Sequence, residues 1–295
     1  LQSGTTNTNG GGILISAINL NGADRVVRSD QTGGLTAGGT GTFNGVISNG
    51  TGTAGLIKEG IGQHVLNATN TYNGNTVVNQ GTLTANSTGA LPGFNVPGRV
   101  VVAAGATIGV RTGAWTSANI DTLRANATWS SVNSELGLNT STASVTYASN
   151  IAEALSLTKY GNNTLTLTGT NTYTGNTKIY GGTSAALVAD SATALGNGGN
   201  IVFLGGTLRY TVNSSGTDWA TRIKNSPSAV TLDTNGQSVT LAGAIDNTNT
   251  GGLTKTGAGT LTLSGTNAYT GGTTLAAGTL ILAGAGALPA SGALT

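Results

Sequence analysis

The sequence predicts an all-β protein, and within that class a β-solenoid, in which the chain winds into stacked coils of short parallel strands. Glycine accounts for 49 of the 295 residues, while charged side chains make up 7% and aromatic side chains 4%. Thr alternates with Leu, Val or Ile in many short segments, such as Thr164–Thr168, and this two-residue period is typical of half-buried strands. Gly and Asn separate these segments at intervals of about six to ten residues, which is typical of tight turns.

The composition also excludes several classes of protein. The chain has no cysteine, so it has neither a disulfide framework nor a cysteine nucleophile. Gly, Thr and Asn are poor helix formers, and no segment shows helical periodicity. The 12 basic and 10 acidic residues nearly balance, and no polybasic run predicts binding to nucleic acid. No apolar run reaches the roughly 18–20 residues that a transmembrane helix needs.

An internal repeat organises the chain. One block occurs three times without gaps, at Gly55–Leu83, Ser156–Ser184 and Gly252–Leu280. Four residue types recur at fixed positions in these copies: Lys58, Lys159 and Lys255; Asn70, Asn171 and Asn267; Tyr72, Tyr173 and Tyr269; and Gly74, Gly175 and Gly271. Because the copies begin nearly one hundred residues apart, we predict about three modules in a single continuous solenoid over residues 1–295.

The blocks also predict the length of one coil, about twenty to twenty-five residues. Three apolar pairs lie 22 residues apart: Leu56 and Val78, Leu157 and Ile179, and Leu253 and Leu275. Each pair is expected to stack in the interior, and Asn side chains at the turns are expected to hydrogen-bond along the axis. Since stacked strands lie about 4.8 Å apart, columns of like charge are unfavourable, which explains why charged residues are scarce.

The segments around the blocks show a looser pattern. An Ala-Leu step comes after each copy, at Ala90, Ala194 and Ala287. Strands with a Gly turn are expected at 99–108 and 200–208. Residues 115–135 and 215–227 are the least strand-like, and we expect them to form loops with at most one short helical turn.

The block resembles the autotransporter-associated β-strand repeat, also called the passenger-associated transport repeat. The third copy, GLTKTGAGTLTLSGTNAYTGGTTLAAGTL, carries the resemblance most closely, and the first departs from it at Ile57, Glu59 and His64. The resemblance implies a right-handed parallel β-helix that is secreted to the bacterial surface or the extracellular medium. Such passengers are mostly adhesins, stalks and surface fibres, sometimes with an enzyme grafted on.

Few residues have the chemistry of a catalytic site. His64, the only histidine, takes the place of Leu165 and Leu261 in the other copies, so it is expected to pack on the inward track. No Ser or carboxylate arrangement completes a triad around it. The ten acids are scattered: Asp24, Asp30, Glu59, Asp121, Glu135, Glu153, Asp190, Asp218, Asp233 and Asp246. Asp190, Asp218 and Asp246 are spaced by about one long coil, but their contexts differ, and a solvated loop position is the favoured interpretation. We therefore predict no enzymatic activity, no cofactor and no metal.

The recurring Lys and Tyr residues have both a structural and a binding interpretation. The lysines are spaced too sparsely for a phosphate-binding stripe, and bonds to corner carbonyls before Gly60, Gly161 and Gly257 are expected instead. The tyrosines, with Trp115, Trp129 and Trp219, have the rings that stack on sugars, but their fixed spacing favours a corner that covers the coil. Thr-x-Thr tracts resemble those of ice-binding solenoids, yet they recur only about once per module.

The ends of the chain match in module phase, because Leu1–Asn9 resembles the segment that would continue a module beyond Ser291–Thr295. A solenoid cut within a coil exposes strand edges and apolar core. The sequence is therefore either a window of a longer passenger or a subunit that stacks head to tail into a filament. The function expected first is a structural subunit of an extracellular or cell-surface fibre. The alternative is an adhesive passenger segment that binds host surfaces or glycans, and a polysaccharide-acting enzyme ranks third.

Overall fold

The computed structural model describes residues 13–15, 17–29, 40–182, 185–290 and 293–295. They form a parallel β-solenoid of about 11 turns in which helix accounts for 6%, so the predicted fold class is confirmed. The chain divides into two compact units, Leu1–Thr142 with Glu153–Leu157, and Ala143–Ala152 with Thr158–Thr295. The single continuous solenoid over residues 1–295 stays a prediction. Leu1–Asn9, Asp30, Ser184 and Ser291 lie outside the described residues.

The first unit contains short strands, most of them two to five residues long. They are β1 Ile13–Ile15, β2 Ile18–Asn19, β3 Arg25–Arg28, β4 Gly41–Phe43, β5 Ile47–Ser48, β6 Leu56–Glu59, β7 Gln63–Leu66, β8 Thr76–Val78, β9 Thr82–Ala85, β10 Val100–Val102, β11 Thr107–Arg111, β12 Thr128–Trp129 and β13 Glu135–Asn139. One sheet has the order β1-β4-β7-β9-β11-β13, another the order β12-β10-β8-β6-β3, and β2 pairs with β5. Strands that are adjacent in a sheet come from successive coils, as expected of a solenoid.

The second unit has the same construction. Its strands are β14 Val145–Tyr147, β16 Leu165–Leu167, β17 Thr177–Tyr180, β18 Ala186–Ala189, β19 Ile201–Leu204, β20 Thr207–Arg209, β21 Val230–Asp233, β22 Ser238–Leu241, β23 Leu253–Thr256, β24 Thr260–Leu263, β25 Thr273–Leu275 and β26 Thr279–Leu282, and β15 Ser156–Tyr160 includes residues of both units. A seven-stranded sheet has the order β14-β16-β18-β20-β21-β23-β25, a three-stranded sheet has the order β22-β24-β26, and β17 pairs with β19.

Aliphatic side chains stack in columns inside each unit. In the seven-stranded sheet, Leu165, Leu187, Leu208 and Leu232 occupy consecutive register positions, and all four are fully buried. Each of these leucines therefore lies about 4.8 Å from its neighbour in the column, which begins at Val145 and ends at Lys255. The small aliphatic content of the sequence is sufficient because the interior is narrow.

The predicted stacking register is wrong by two residues. Leu56 pairs with Thr76, and Lys58, rather than Leu56, pairs with Val78. In the third copy Lys255 likewise pairs with Leu275. Because side chains alternate between faces with a period of two, a shift of two residues leaves every side chain on the same face. The apolar pattern therefore does not distinguish a coil of 20 residues from one of 22.

The loop prediction is wrong for one segment and right for another. Ser117–Asn126 forms a ten-residue helix, α1, which begins at a capping box between Thr116 and Asn119 and buries Ile120 and Leu123. Residues 220–222 form the short helical turn expected in the later segment, and a similar turn covers 88–90. In the part of the chain that the structure describes, no helix has the length and hydropathy of a membrane span.

The recurring glycine of the first and third repeats lies where two coils approach closely. A Cβ on Gly271 would lie 2.3 Å from the backbone nitrogen of Gly252, and a Cβ on Gly74 would lie 2.3 Å from the carbonyl carbon of Ala54. Both neighbours are backbone atoms, which cannot move aside without displacing a coil. The glycine is therefore required by the approach of the chain and not by its own dihedral angles.

We expect Gly271→Ala to lower the free energy of unfolding by more than about 2 kcal/mol, since the added methyl group overpacks a rigid backbone contact. Gly216→Ala is the matched control, because a Cβ there meets nothing within 4 Å. Urea denaturation followed by circular dichroism measures both. Equal stability of the two variants would contradict the close-approach explanation.

Candidate functional site

The candidate site is the corner formed by the recurring Lys, Asn, Tyr and Gly residues of each repeat. The first and third copies span four strands each, β6 to β9 and β23 to β26, whereas the second spans β15 to β17 and is followed directly by β18. The lysine lies on the first strand, and the other three residues lie between the second strand and the third. All of these Lys, Asn and Tyr side chains are buried, with at most 5% exposure.

The lysine side chains point into the solenoid and end on backbone carbonyls. Lys58 Nζ donates to the carbonyl oxygens of Glu59, Gly60 and Gln80 at 2.7, 2.5 and 3.1 Å. In the third repeat the acceptors are the carbonyls of Thr256, Gly257 and Ala277 at 2.8, 2.7 and 3.0 Å.

The ammonium group thus ties its own corner to the next coil, 22 residues later. In the second repeat, Lys159 Nζ donates to the carbonyl of Gly161 at 2.5 Å.

Burial works against the charge of these lysines. Desolvation lowers the pKa of Lys159 to about 8. It also lowers the pKa of Lys255, and the nearby carboxylate of Asp233 opposes that shift. A buried ammonium is tolerable only where acceptors replace its lost water, and the carbonyl bonds supply them. The three lysines therefore stabilise the fold through these bonds. None of their amines lies at the surface, where it could act as a base or nucleophile.

The asparagines join three coils each. Asn70 Oδ1 accepts from the backbone N–H of Ile47 at 2.8 Å, and its Nδ2 donates to the carbonyl of Ala90 at 2.8 Å. Asn171 and Asn267 repeat these bonds with the same geometry: Ile151 and Ala194, and Ile245 and Ala287. The Ala-Leu step after every block therefore provides the acceptor carbonyl.

The tyrosines are buried and their hydroxyl groups are bonded. Tyr72 Oη lies 2.6 Å from Thr76 Oγ1, and the same bond joins Tyr173 to Thr177 and Tyr269 to Thr273 at 2.6 and 2.7 Å. Burial raises the pKa of Tyr72 and of Tyr173 to about 12. Trp115 and Trp219 are also buried, so these rings present no face for a sugar.

Sequence reasoning missed the threonine that completes each corner. Thr76, Thr177 and Thr273 come four residues after the tyrosine in every copy, and this fixed spacing is the available signal. The signal is weak because a β-branched polar residue is common on the outward face of a strand. The expected asparagine stacking is present in the first unit, where Asn67 Nδ2 donates to Asn44 Oδ1 at 2.6 Å and Asn86 Nδ2 donates to Asn67 Oδ1.

The remaining candidates do not assemble into a reactive centre. His64 is buried on the inward track, as predicted. Asp218 accepts from the backbone N–H groups of Ala220, Ala242 and Gly243, and Asp190 accepts from Thr211 and Asn213. Among the described residues, no group of three or more His, Asp or Glu side chains is placed to hold a metal ion.

The two repeats of the second unit differ in rotational position. The second strand of the earlier repeat, β16, lies in the seven-stranded sheet with β18, which follows that repeat. The first and third strands of the later repeat, β23 and β25, lie in the same sheet. The later repeat is therefore turned by one sheet about the solenoid. Consequently Lys159 and Lys255 enter the interior from different sheets and form no common stripe.

A family model described as the passenger-associated-transport-repeat matches residues 56–85, 157–183 and 253–282. The chain carries three passenger-associated transport repeats. A parallel β-solenoid with three such repeats fits an autotransporter passenger domain. No curated protein and no solved structure matches the chain. The corner bonds of the Lys, Asn and Tyr side chains are thus what these passenger-associated transport repeats encode in this chain.

Removing the amide of one transport repeat should be costly. We expect Asn267→Ala to lower the free energy of unfolding by about 2–4 kcal/mol, because it strands the buried N–H of Ile245 and the carbonyl of Ala287. The exposed Asn247 provides the control, and Asn247→Ala should change stability by less than about 0.5 kcal/mol. Chemical denaturation measures both, and a loss below about 1 kcal/mol for Asn267→Ala would refute the bridging role.

The ammonium group of Lys255 should matter more than its stem. Lys255→Met keeps the apolar stem but removes the donor to three part-buried carbonyls, so we expect a loss of about 1–3 kcal/mol. Lys224→Met removes a surface ion pair with Asp246 and should cost less than about 1 kcal/mol. The same denaturation measurement compares them. If Lys255→Met were as stable as Lys224→Met, the carbonyl bonds would not stabilise the corner.

Proposed function

We propose that this chain is a non-enzymatic structural segment of a secreted or cell-surface passenger, serving as a β-solenoid stalk or fibre. The observation that carries this proposal is the use made of the residues in the repeat. The ammonium, amide and phenol groups, which a binding or catalytic site would present to a ligand, are buried. The ammonium and amide groups bond to other coils, and the phenol group bonds to a threonine four residues later. The passenger-associated transport repeats support secretion to the bacterial surface or medium.

We also propose that copies of the chain associate head to tail. The exposure of Leu282, on strand β26 of the second unit, supports this. In the three-stranded sheet, Leu241, Leu263 and Leu282 share one register position. The first two are at most 1% exposed, whereas Leu282 is 45% exposed. Among the described residues, no strand pairs with the outer edge of β26, and an unpaired edge is the usual template for adding another strand.

Assembly through this coil makes a specific prediction. In analytical ultracentrifugation, the purified chain should sediment as larger species when its concentration rises. In electron micrographs it should appear as filaments. Leu282→Lys should abolish these species, because an ammonium cannot be buried without acceptors. Val212→Lys is the control, since Val212 is 74% exposed between β20 and β21, outside the three-stranded sheet, and should not affect assembly.

Monomers at every concentration would contradict head-to-tail association. In that case, binding measurements would test whether the solenoid has a structural role. Saturable binding of the wild-type chain to a glycan array or to host cells would overturn the purely structural role and favour the adhesive alternative.

A further inference from the structure

The first repeat departs from the other two at a buried position. His64 lies on the inward face of β7, in register with Gly41 on β4 and Leu83 on β9. Its side chain is 3% exposed. The imidazole therefore occupies a place in the core column that the third repeat fills with Leu261.

The imidazole lies directly over a glycine. A Cβ on Gly41 would be 2.3 Å from His64 Cδ2 and 2.7 Å from its Nε2. The ring of Phe43 meets the imidazole edge to face, with centroids 5.4 Å apart. Nδ1 of His64 is buried and has no hydrogen-bond partner. The site thus has the shape for this ring but lacks an acceptor for a second ring N–H.

The other repeats show what this pair replaces. Leu165 pairs with Val145, and Leu261 pairs with Val239. In the first repeat the branched residue beneath becomes glycine and the leucine becomes histidine. The exchange keeps the column filled, because the volume lost at Gly41 is taken up by the larger ring. It also places a titratable group in a core column that is otherwise apolar.

The charged surroundings disfavour a protonated imidazole. The strands on either side, β4 and β9, carry no titratable residue. Besides burial, the ammonium of Lys58 on β6, which has the same sign as a protonated imidazole, lowers the pKa of His64. Arg28 and Glu59, from β3 and β6, lie nearer the surface and face each other at 3.6 Å. A cationic His64 would therefore meet a like charge and have no acceptor for its added proton.

We propose that the Gly41–His64 pair makes the first repeat acid-sensitive, so that its coils open more often in mildly acidic medium, whereas opening of the third repeat, which has leucine at this position, does not change. The closed form requires the neutral ring, and the open form takes up a proton freely. Burial, reinforced by Lys58, lowers the pKa of His64 from 6.5 to about 4. Because the folded pKa is the lower one, His64 favours the closed form above pH 6.5, and this contribution is lost as the pH falls towards 4.

The size of the effect follows from the two pKa values. Between pH 7.5 and pH 5, proton uptake by the open form should increase the opening equilibrium about thirty-fold. Hydrogen exchange with mass spectrometry measures this for peptides that contain β7 and β9, after correction for the intrinsic dependence of exchange on pH. Peptides that contain β24, the equivalent of β7 in the third repeat, provide the internal control.

The matched variant restores the pair found in the other repeats. In Gly41→Val/His64→Leu, exchange of β7 and β9 should lose the thirty-fold dependence, and β24 should be unaffected in both proteins. Equal pH dependence in the wild type and the double variant would overturn the proposal, since surface carboxylates would then be responsible. So would an equal rise in exchange of β24 in the wild type.

A second measurement does not depend on the variant folding. His64 is the only histidine, so its imidazole resonances in the wild-type chain report one group. A midpoint at 5 or below, or loss of the folded signal on acidification, supports the proposal. A reversible titration near 6.5 in the folded chain would overturn it.

Discussion

Everything in this fold depends on stacking one coil on the next at the spacing of a single strand. At about 4.8 Å, the interior columns accept one side chain per coil, and each corner must bring two backbones into contact. Leucine columns such as Leu165–Leu187–Leu208 satisfy the first requirement, and glycines such as Gly271 satisfy the second. The same spacing explains the scarcity of charge, because any charged column would repeat its repulsion at every coil.

The corners raise a separate problem, since backbone groups that turn inward lose the partners that strands provide. The transport repeat solves it with side chains that reach along the axis. Asn70 satisfies an N–H of the coil before and a carbonyl of the coil after, and Lys58 satisfies carbonyls of its own coil and the next. These bonds are specific in both distance and direction, whereas apolar columns tolerate sliding. The polar residues therefore set the register that the leucines alone leave free.

The sequence was enough to predict the solenoid, its strands and the buried position of His64, because composition, period-two patterning and a threefold repeat all report directly on stacked strands. It did not settle the register, since Leu56 over Thr76 and Leu56 over Val78 place identical faces inward. The helix α1 was missed because its apolar side is short, and the capping of Thr116 with Asn119 supplies what propensity lacks. The hydrogen-bond partners of the asparagines could not be predicted either, because every residue has a backbone carbonyl and the sequence does not show that the one of Ala90 is the acceptor.

The rotation between repeats helps to explain why the repeat occurs at intervals along the chain and not in every coil. In the second unit the later repeat is turned by one sheet from the earlier one, so the corner bonds enter the interior from different sides. If all repeats had the same rotational position, their corner bonds would set the register on one side of the solenoid only. Apolar columns alone would hold the other sides. Turning the motif distributes the register-setting bonds around the axis. Between these pinned corners the chain can depart from the coil, as it does at α1, without losing the stacking on either side.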